Sequence, residues 1–126
     1  MGMKIDIRER TLIALPVGEL DHLQAERLRV QIDTAFDRSV CKNILLDMQG
    51  VSFMDSSGIG MIIGRYKNAE KRGGKLALAN MSDTVSRLFE LSGLAKIILR
   101  AKTVDEALLT LGTTSAPLTL GGGQRA

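Results

Sequence analysis

Asn43-Ile44-Leu45-Leu46-Asp47-Met48 is a short continuous apolar run, and its reading decides the fold. A run of this length and character is a central strand covered on both faces. Downstream, Ile59, Ile62, Ile63 and Tyr66 recur at helical spacing and give one apolar helix face. That helix is expected to stop at Gly73-Gly74, with Lys71 and Arg72 near the negative end of its dipole. Lys75-Leu76-Ala77-Leu78-Ala79 reads as the next strand. Strand, helix and strand in that order imply a right-handed crossover and parallel pairing.

Upstream, Lys4-Ile5-Asp6-Ile7 alternates polar and apolar, as a half-buried strand does. Thr11 to Val17 follows after the charged turn Arg8-Glu9-Arg10, and the two read as a hairpin. Pro16 puts its strand at an edge or near its own end. Ala25, Leu28, Ile32, Ala35 and Phe36 share one face of a helix that Asp21 can cap. Toward the C-terminus, Ser82 caps a helix carrying Val85, Leu88 and Phe89, with Gly93 as its stop. Ile97-Ile98-Leu99 reads as a last short strand. Thr103 opens a fourth helix, Glu106 completes a capping box, and Val104, Ala107, Leu108 and Leu111 form its face. The order is β-β-α-β-α-β-α-β-α. This is an α/β domain over residues 1–112, a mixed but mostly parallel sheet of about five strands with four helices. Residues 113–126, ending Gly121-Gly122-Gly123-Gln124-Arg125-Ala126, read as a flexible tail.

Composition narrows the function. The chain has 126 residues, enough for one domain with a core of its own. Aromatics are only 3%, with no Trp, so the stacking platforms of single-stranded nucleic-acid binders are missing. The net charge of +3 is spread along the chain and reads as a solvated surface, without a patch for nucleic acid or membrane. Cys41 is the sole cysteine, which excludes a disulfide framework. No signal core or membrane-length apolar run is present, and a cytoplasmic setting is expected. The single histidine, His22, stands at a helix start, outside any nucleophile elbow or metal-ligand spacing. Gly73-Gly74-Lys75 closes a helix and starts a strand, the reverse of a phosphate loop. Asp47, Asp55, Asp83 and Asp105 fall at strand ends or helix starts, where capping places them. No cofactor, no metal and no enzymatic chemistry are expected.

One segment needs two readings. Ser52-Phe53-Met54-Asp55-Ser56-Ser57-Gly58-Ile59-Gly60 joins the buried strand to a strong helix. In the plain reading, Asp55, Ser56 or Ser57 caps the helix and the glycines let its start pack closely. In the functional reading, a serine at the helix N-terminus is open to a kinase. A phosphate there adds about −1.5 to −2 charges, and the helix dipole favours it. The fold survives, but the patch of Gly58, Ile59 and Gly60 beside Asp55 gains a dianion that repels a docked partner. Releasing such a partner needs roughly 4–5 kcal/mol of differential affinity, which one buried unpaired dianion can supply.

Several stretches together resemble the STAS-domain anti-anti-sigma factors, most of all the sporulation antagonists of anti-sigma F. They are Gly18-Glu19-Leu20-Asp21-His22, Ser52 to Gly60, Gly64-Arg65-Tyr66-Lys67, Gly73-Gly74, Arg87-Leu88-Phe89, Ser92-Gly93-Leu94, Lys96-Ile97-Ile98 and Ala107 to Gly112. The resemblance spans about residues 4–112. It implies a protein that binds an anti-sigma factor which is also a serine kinase and thereby frees a sigma factor. Phosphorylation inactivates such a protein, and a PP2C-type phosphatase restores it. The family's phosphoacceptor is the serine directly after the aspartate, which maps to Ser56, with Ser57 as the alternative register. Asp21, with His22 beside it, maps to the acidic part of the partner surface. Asp55, Ser57, Gly58, Ile59 and Gly60 belong to the same surface, and Asn80 and Met81 are placed at its border. A monomer is expected for the free protein. Leu23-Gln24 and the residues after Gly112 depart from the sporulation pattern, and the first can change which kinase is preferred. Three other readings stand beside this one. The first is a general stress-response antagonist or STAS scaffold, the second a small nucleotide-binding or enzymatic α/β domain. The third, a module of an anion transporter, fits poorly with a chain that has its own Met start and no membrane segment.

Overall fold

The computed structural model describes residues 3–112; the expected tail, residues 113–126, lies outside them. The first hairpin is β1 (Lys4–Arg8) with β2 (Thr11–Leu15), paired antiparallel. After β3 (Val17–Leu20) come α1 (His22–Asp37), β4 (Asn43–Asp47) and β5 (Gly50–Met54). Then follow α2 (Ser56–Lys71), β6 (Leu76–Ala79), α3 (Asp83–Leu91), β7 (Leu99–Ala101) and α4 (Val104–Thr110). The main sheet has the order β1-β2-β4-β6-β7 and is parallel except for β1. Strand β4 lies at its centre and every residue in it is buried, as its unbroken apolar run requires.

Alternation along the strands divides the core into two layers. Leu12, Ala14, Ile44, Leu46, Leu76 and Leu78 face the layer that takes the apolar sides of α1, α2 and α3. Ile13, Leu45, Ala77 and Ala79 face the opposite layer, closed by Ala107 and Leu108 from α4 and by Leu111 at its C-cap. Asn43 ties three strands at one end of the sheet. Its Nδ2 donates to Thr11 Oγ1 at 3.3 Å, and its Oδ1 accepts from Lys75 N at 2.9 Å.

The helix ends follow the capping chemistry read from the sequence. Asp21 Oδ1 accepts from Gln24 N at 3.0 Å, and Ser82 Oγ accepts from Val85 N at 3.1 Å. Thr103 Oγ1 accepts from Glu106 N at 3.1 Å. The Glu106 carboxylate reaches back to Lys102 N at 2.9 Å, one residue before the cap itself. At the end of α2, Gly73 takes φ +76°. Gly73 N donates to Glu70 O and Gly74 N to Ala69 O, the paired bonds of a Schellman stop.

The structure departs from the sequence reading at three places. Thr11 to Val17 is two strands, because Pro16 cannot donate a ladder bond and ends β2 at Leu15. The chain then leaves the main sheet, and β3 pairs in parallel with β5 as a separate two-stranded ribbon. Neither of those strands stands in the predicted order. The last strand begins at Leu99, and Leu94–Lys96 form a 3-10 turn whose Leu94 carbonyl accepts from Ile97 N and Ile98 N. A three-residue apolar run does not distinguish a strand from a turn; here Ile98 is buried and Ile97 exposed.

Candidate functional site

The ribbon builds the site. Its register sets Leu20 opposite Met54, so the next residue on each strand, Asp21 and Asp55, begins a helix beside the other. Asp55 N donates to Leu20 O at 3.4 Å. The two carboxylates cap α1 and α2, and Asp55 Oδ1 accepts from Ser57 N at 2.8 Å. Two helix N-termini are therefore held side by side, each with its free N–H groups and partial positive charge.

Ser56 is the first residue of α2 and is exposed. With Asp55 as the cap, neither serine performs the capping task, and the Ser56 hydroxyl is left at the surface. Ser57 is half-buried and turned toward α1. Gly58 is buried where the helix presses on the ribbon. A Cβ there would stand 2.8 Å from Met54 Cβ and 3.0 Å from both Leu20 Cβ and Leu20 O. Ile59 is half-buried against the core, and Gly60 is exposed. The Gly58→Ala variant is expected to lose about 1–3 kcal/mol of stability by overpacking. Chemical denaturation measures this, and a loss below a few tenths would mean that the ribbon yields.

A groove of about 320 Å³ runs between the two helices. His22, exposed at the first position of α1, lines it with Ser57, Gly60 and Arg65. On the α1 side, the hydrogen bond from Arg29 holds the Glu26 carboxyl below its ordinary range. Burial pushes the Arg65 guanidinium down, against the pull of Asp33, whose Oδ1 lies 3.0 Å from Arg65 Nε. Asn80 and Met81 line a different hollow of about 810 Å³, beside Arg100 and Glu106, and share no lining residue with the groove. Asn80 sits at φ +59° and donates from Nδ2 to Asp47 Oδ1 at 3.0 Å, which gives it a structural task.

Two large apolar side chains beside the helix starts, which the sequence reading did not place on the partner surface, are exposed. Phe53, on β5 opposite Glu19, is 43% exposed, and Leu23 in the first turn of α1 is 57% exposed. Large apolar groups at the surface beside polar caps are the composition of a docking patch. The signal was available for Leu23, which falls off the apolar face of α1; Phe53 lay in a segment read as a turn. Among the described residues no group of His, Cys, Asp and Glu can hold a metal ion, and no helix is long and apolar enough to cross a membrane. Cys41 is buried in the core.

Comparison with known proteins gives a consistent result. Residues 3–107 match the family described as the STAS domain. The anti-sigma F factor antagonist of Paenibacillus polymyxa is 40% identical over 100 residues, which cover 78% of this chain and 86% of that protein. The anti-sigma-B factor antagonist of Bacillus subtilis (strain 168) is 34% identical over 100 residues, with 78% and 90% covered. Among solved structures, the anti-sigma factor antagonist SpoIIAA in its unphosphorylated form aligns with a TM-score of 0.75 at 31% identity, covering 90% of this chain and all of that one. The phosphorylated form of the Bacillus cell fate determinant SpoIIAA aligns with a TM-score of 0.66 at 34% identity, over 86% and 98% of the two chains.

Proposed function

The chain belongs to the STAS domain family, and from that premise we propose that it is an anti-sigma factor antagonist switched by phosphorylation of Ser56. In its unmodified state it binds an anti-sigma factor and so frees a sigma factor. The contact surface is the pair of helix starts: Asp21 and His22 on α1, and Asp55, Ser57, Gly58, Ile59 and Gly60 on α2. Phe53 and Leu23 add apolar area at its edge. Asn80 and Met81 lie on the separate hollow at the end of β6 and serve this surface at most from its border.

One observation carries the reading: Ser56 is exposed at the first position of a 16-residue helix whose cap is already supplied by Asp55. A phosphoryl group on its Oγ meets the positive end of that helix, so the fold tolerates it. The docking face does not, because the dianion appears beside the carboxylates of Asp55 and Asp21. The anti-sigma factor is itself the serine kinase, transferring the γ-phosphoryl group of ATP to Ser56 Oγ. A PP2C-type phosphatase hydrolyses the phosphoester and restores the active form. Relatives named as antagonists of both anti-sigma F and anti-sigma-B support the general role. The higher identity to the former favours control of sporulation over control of the stress response.

The test is intact mass after incubation with the anti-sigma kinase and ATP, followed by fragmentation. One phosphoryl group on Ser56 is expected. A phosphoryl group on Ser57 would move the switch by one residue. Binding without any phosphorylation would reduce the protein to a constitutive module and end the proposal.

A further inference from the structure

The groove between α1 and α2 contains a buried cation whose hydrogen-bonding capacity is not met. Arg65 is only 5% exposed. Its Nε lies 3.0 Å from Asp33 Oδ1 as an ion pair, but Nε and Nη1 are both buried and neither has a hydrogen-bond partner among the described residues. A buried guanidinium N–H without an acceptor is costly, by about 1–3 kcal/mol or more, and its persistence calls for a ligand or a water. Arg65 lines the groove together with Met61 and Gly60.

The groove is open above that group because Gly60 and Gly64 carry no side chains. A Cβ at either would meet nothing within 4 Å. Ser57 and His22 stand at the N-terminal mouth. The remaining charges are accounted for: Arg29 is bound to the Glu26 carboxylate and lies 3.7 Å from Asp33. We propose that this groove is a site for a small phosphate-class oxyanion, which lies over Gly60 and Gly64 and accepts from Arg65. Arg65 supplies the unmet donors. The Glu26 carboxylate on the wall is paired with Arg29, which offsets its repulsion of an anion. The site is distinct from Ser56, and binding there needs no modification of the protein. Occupancy would set a free anion beside Ser57, at the edge of the proposed docking face.

The test is a titration of the whole protein with inorganic phosphate, followed by amide and arginine side-chain NMR, with ionic strength matched by chloride. Saturable shifts are expected at Ser57, Gly60, Gly64 and the Arg65 Nε–H. Arg65→Lys, which keeps the charge and lacks Nη1, should bind at least tenfold more weakly. Because that variant also disturbs the Asp33 contact, Gly64→Leu is the second probe. It fills the floor of the groove without touching the ion pair, should fold as well as the wild type, and should abolish the shifts. No saturable shift in the wild type would mean that Arg65 is met by water alone and would overturn the site. A Gly64→Leu protein that binds phosphate as tightly as the wild type would do the same.

Discussion

Replacing Gly74 by alanine should remove about 3–5 kcal/mol of stability, a large part of what a domain of this size possesses. The residue ends the Schellman stop of α2, and the backbone of the segment leading into β4 crosses directly over it. A Cβ at Gly74 would lie 1.8 Å from Lys42 O, 2.3 Å from Lys42 C and 2.9 Å from Asn43 Oδ1. The first two are main-chain atoms and cannot rotate away. Lys42 is further held by its N–H to Arg10 O at 2.9 Å, and the Asn43 oxygen is the acceptor for Lys75 N at 2.9 Å. Relief therefore requires moving the entry of the central strand or breaking its polar tie to β6. Gly73 next to it has open space but φ +76°, so Gly73→Ala should cost only about 1 kcal/mol of backbone strain. Gly64→Ala has neither problem and should gain up to about 1 kcal/mol from helix propensity. Urea denaturation of the three variants orders them. A Gly74→Ala protein within about 1 kcal/mol of wild type would show that Lys42 yields easily, against this account.

The Gly73-Gly74 stop was legible because a helix face running into two glycines has one plain meaning, whereas the crossing strand beneath it was not. The same division runs through the molecule. Strand β4, the apolar faces of the four helices and the caps Asp21, Ser82 and Thr103 follow from period and local hydrogen-bonding chemistry. The β3–β5 ribbon does not. Val17-Gly18-Glu19-Leu20 holds a glycine at φ +95° and an irregular register between Gly18 and Glu19. On β5, only Val51 and Met54 are buried, a spacing of three that does not read as a strand. The pairing of these segments is a tertiary fact, and it places one cap beside the other. Ser56 and Asp55 could thus be identified singly from sequence, while their closeness to Asp21 rests on the Leu20–Met54 register. Arg65 was hidden for another reason: an arginine in a helical pattern reads as a solvated residue, and its burial depends on α1 crossing over it.

Two substitutions at Ser56 should separate the hydroxyl's chemistry from its position. Ser56→Ala leaves the Asp55 cap intact, since that bond runs to the Ser57 amide. It should bind the anti-sigma partner as the wild type does and accept no phosphoryl group, which leaves it permanently active. Ser56→Asp puts a carboxylate in the first turn of α2, where the helix dipole favours it by about 0.3–1 kcal/mol, so thermal stability should hold or rise slightly. Partner binding should fall by about 1–3 kcal/mol, roughly fivefold to 150-fold. That is less than the 4–5 kcal/mol asked of the phosphorylated form, because one carboxylate carries about half the charge of the dianion and fewer acceptor oxygens. Calorimetry on both variants, at two salt concentrations, reads the difference. If the loss in Ser56→Asp is a desolvated charge facing Asp21 and Asp55, raising the salt should recover only a small part of it, since buried charges are poorly screened. Full recovery would place the effect in long-range repulsion across an open surface. Unchanged affinity at both salts would remove charge at Ser56 as the basis of the switch.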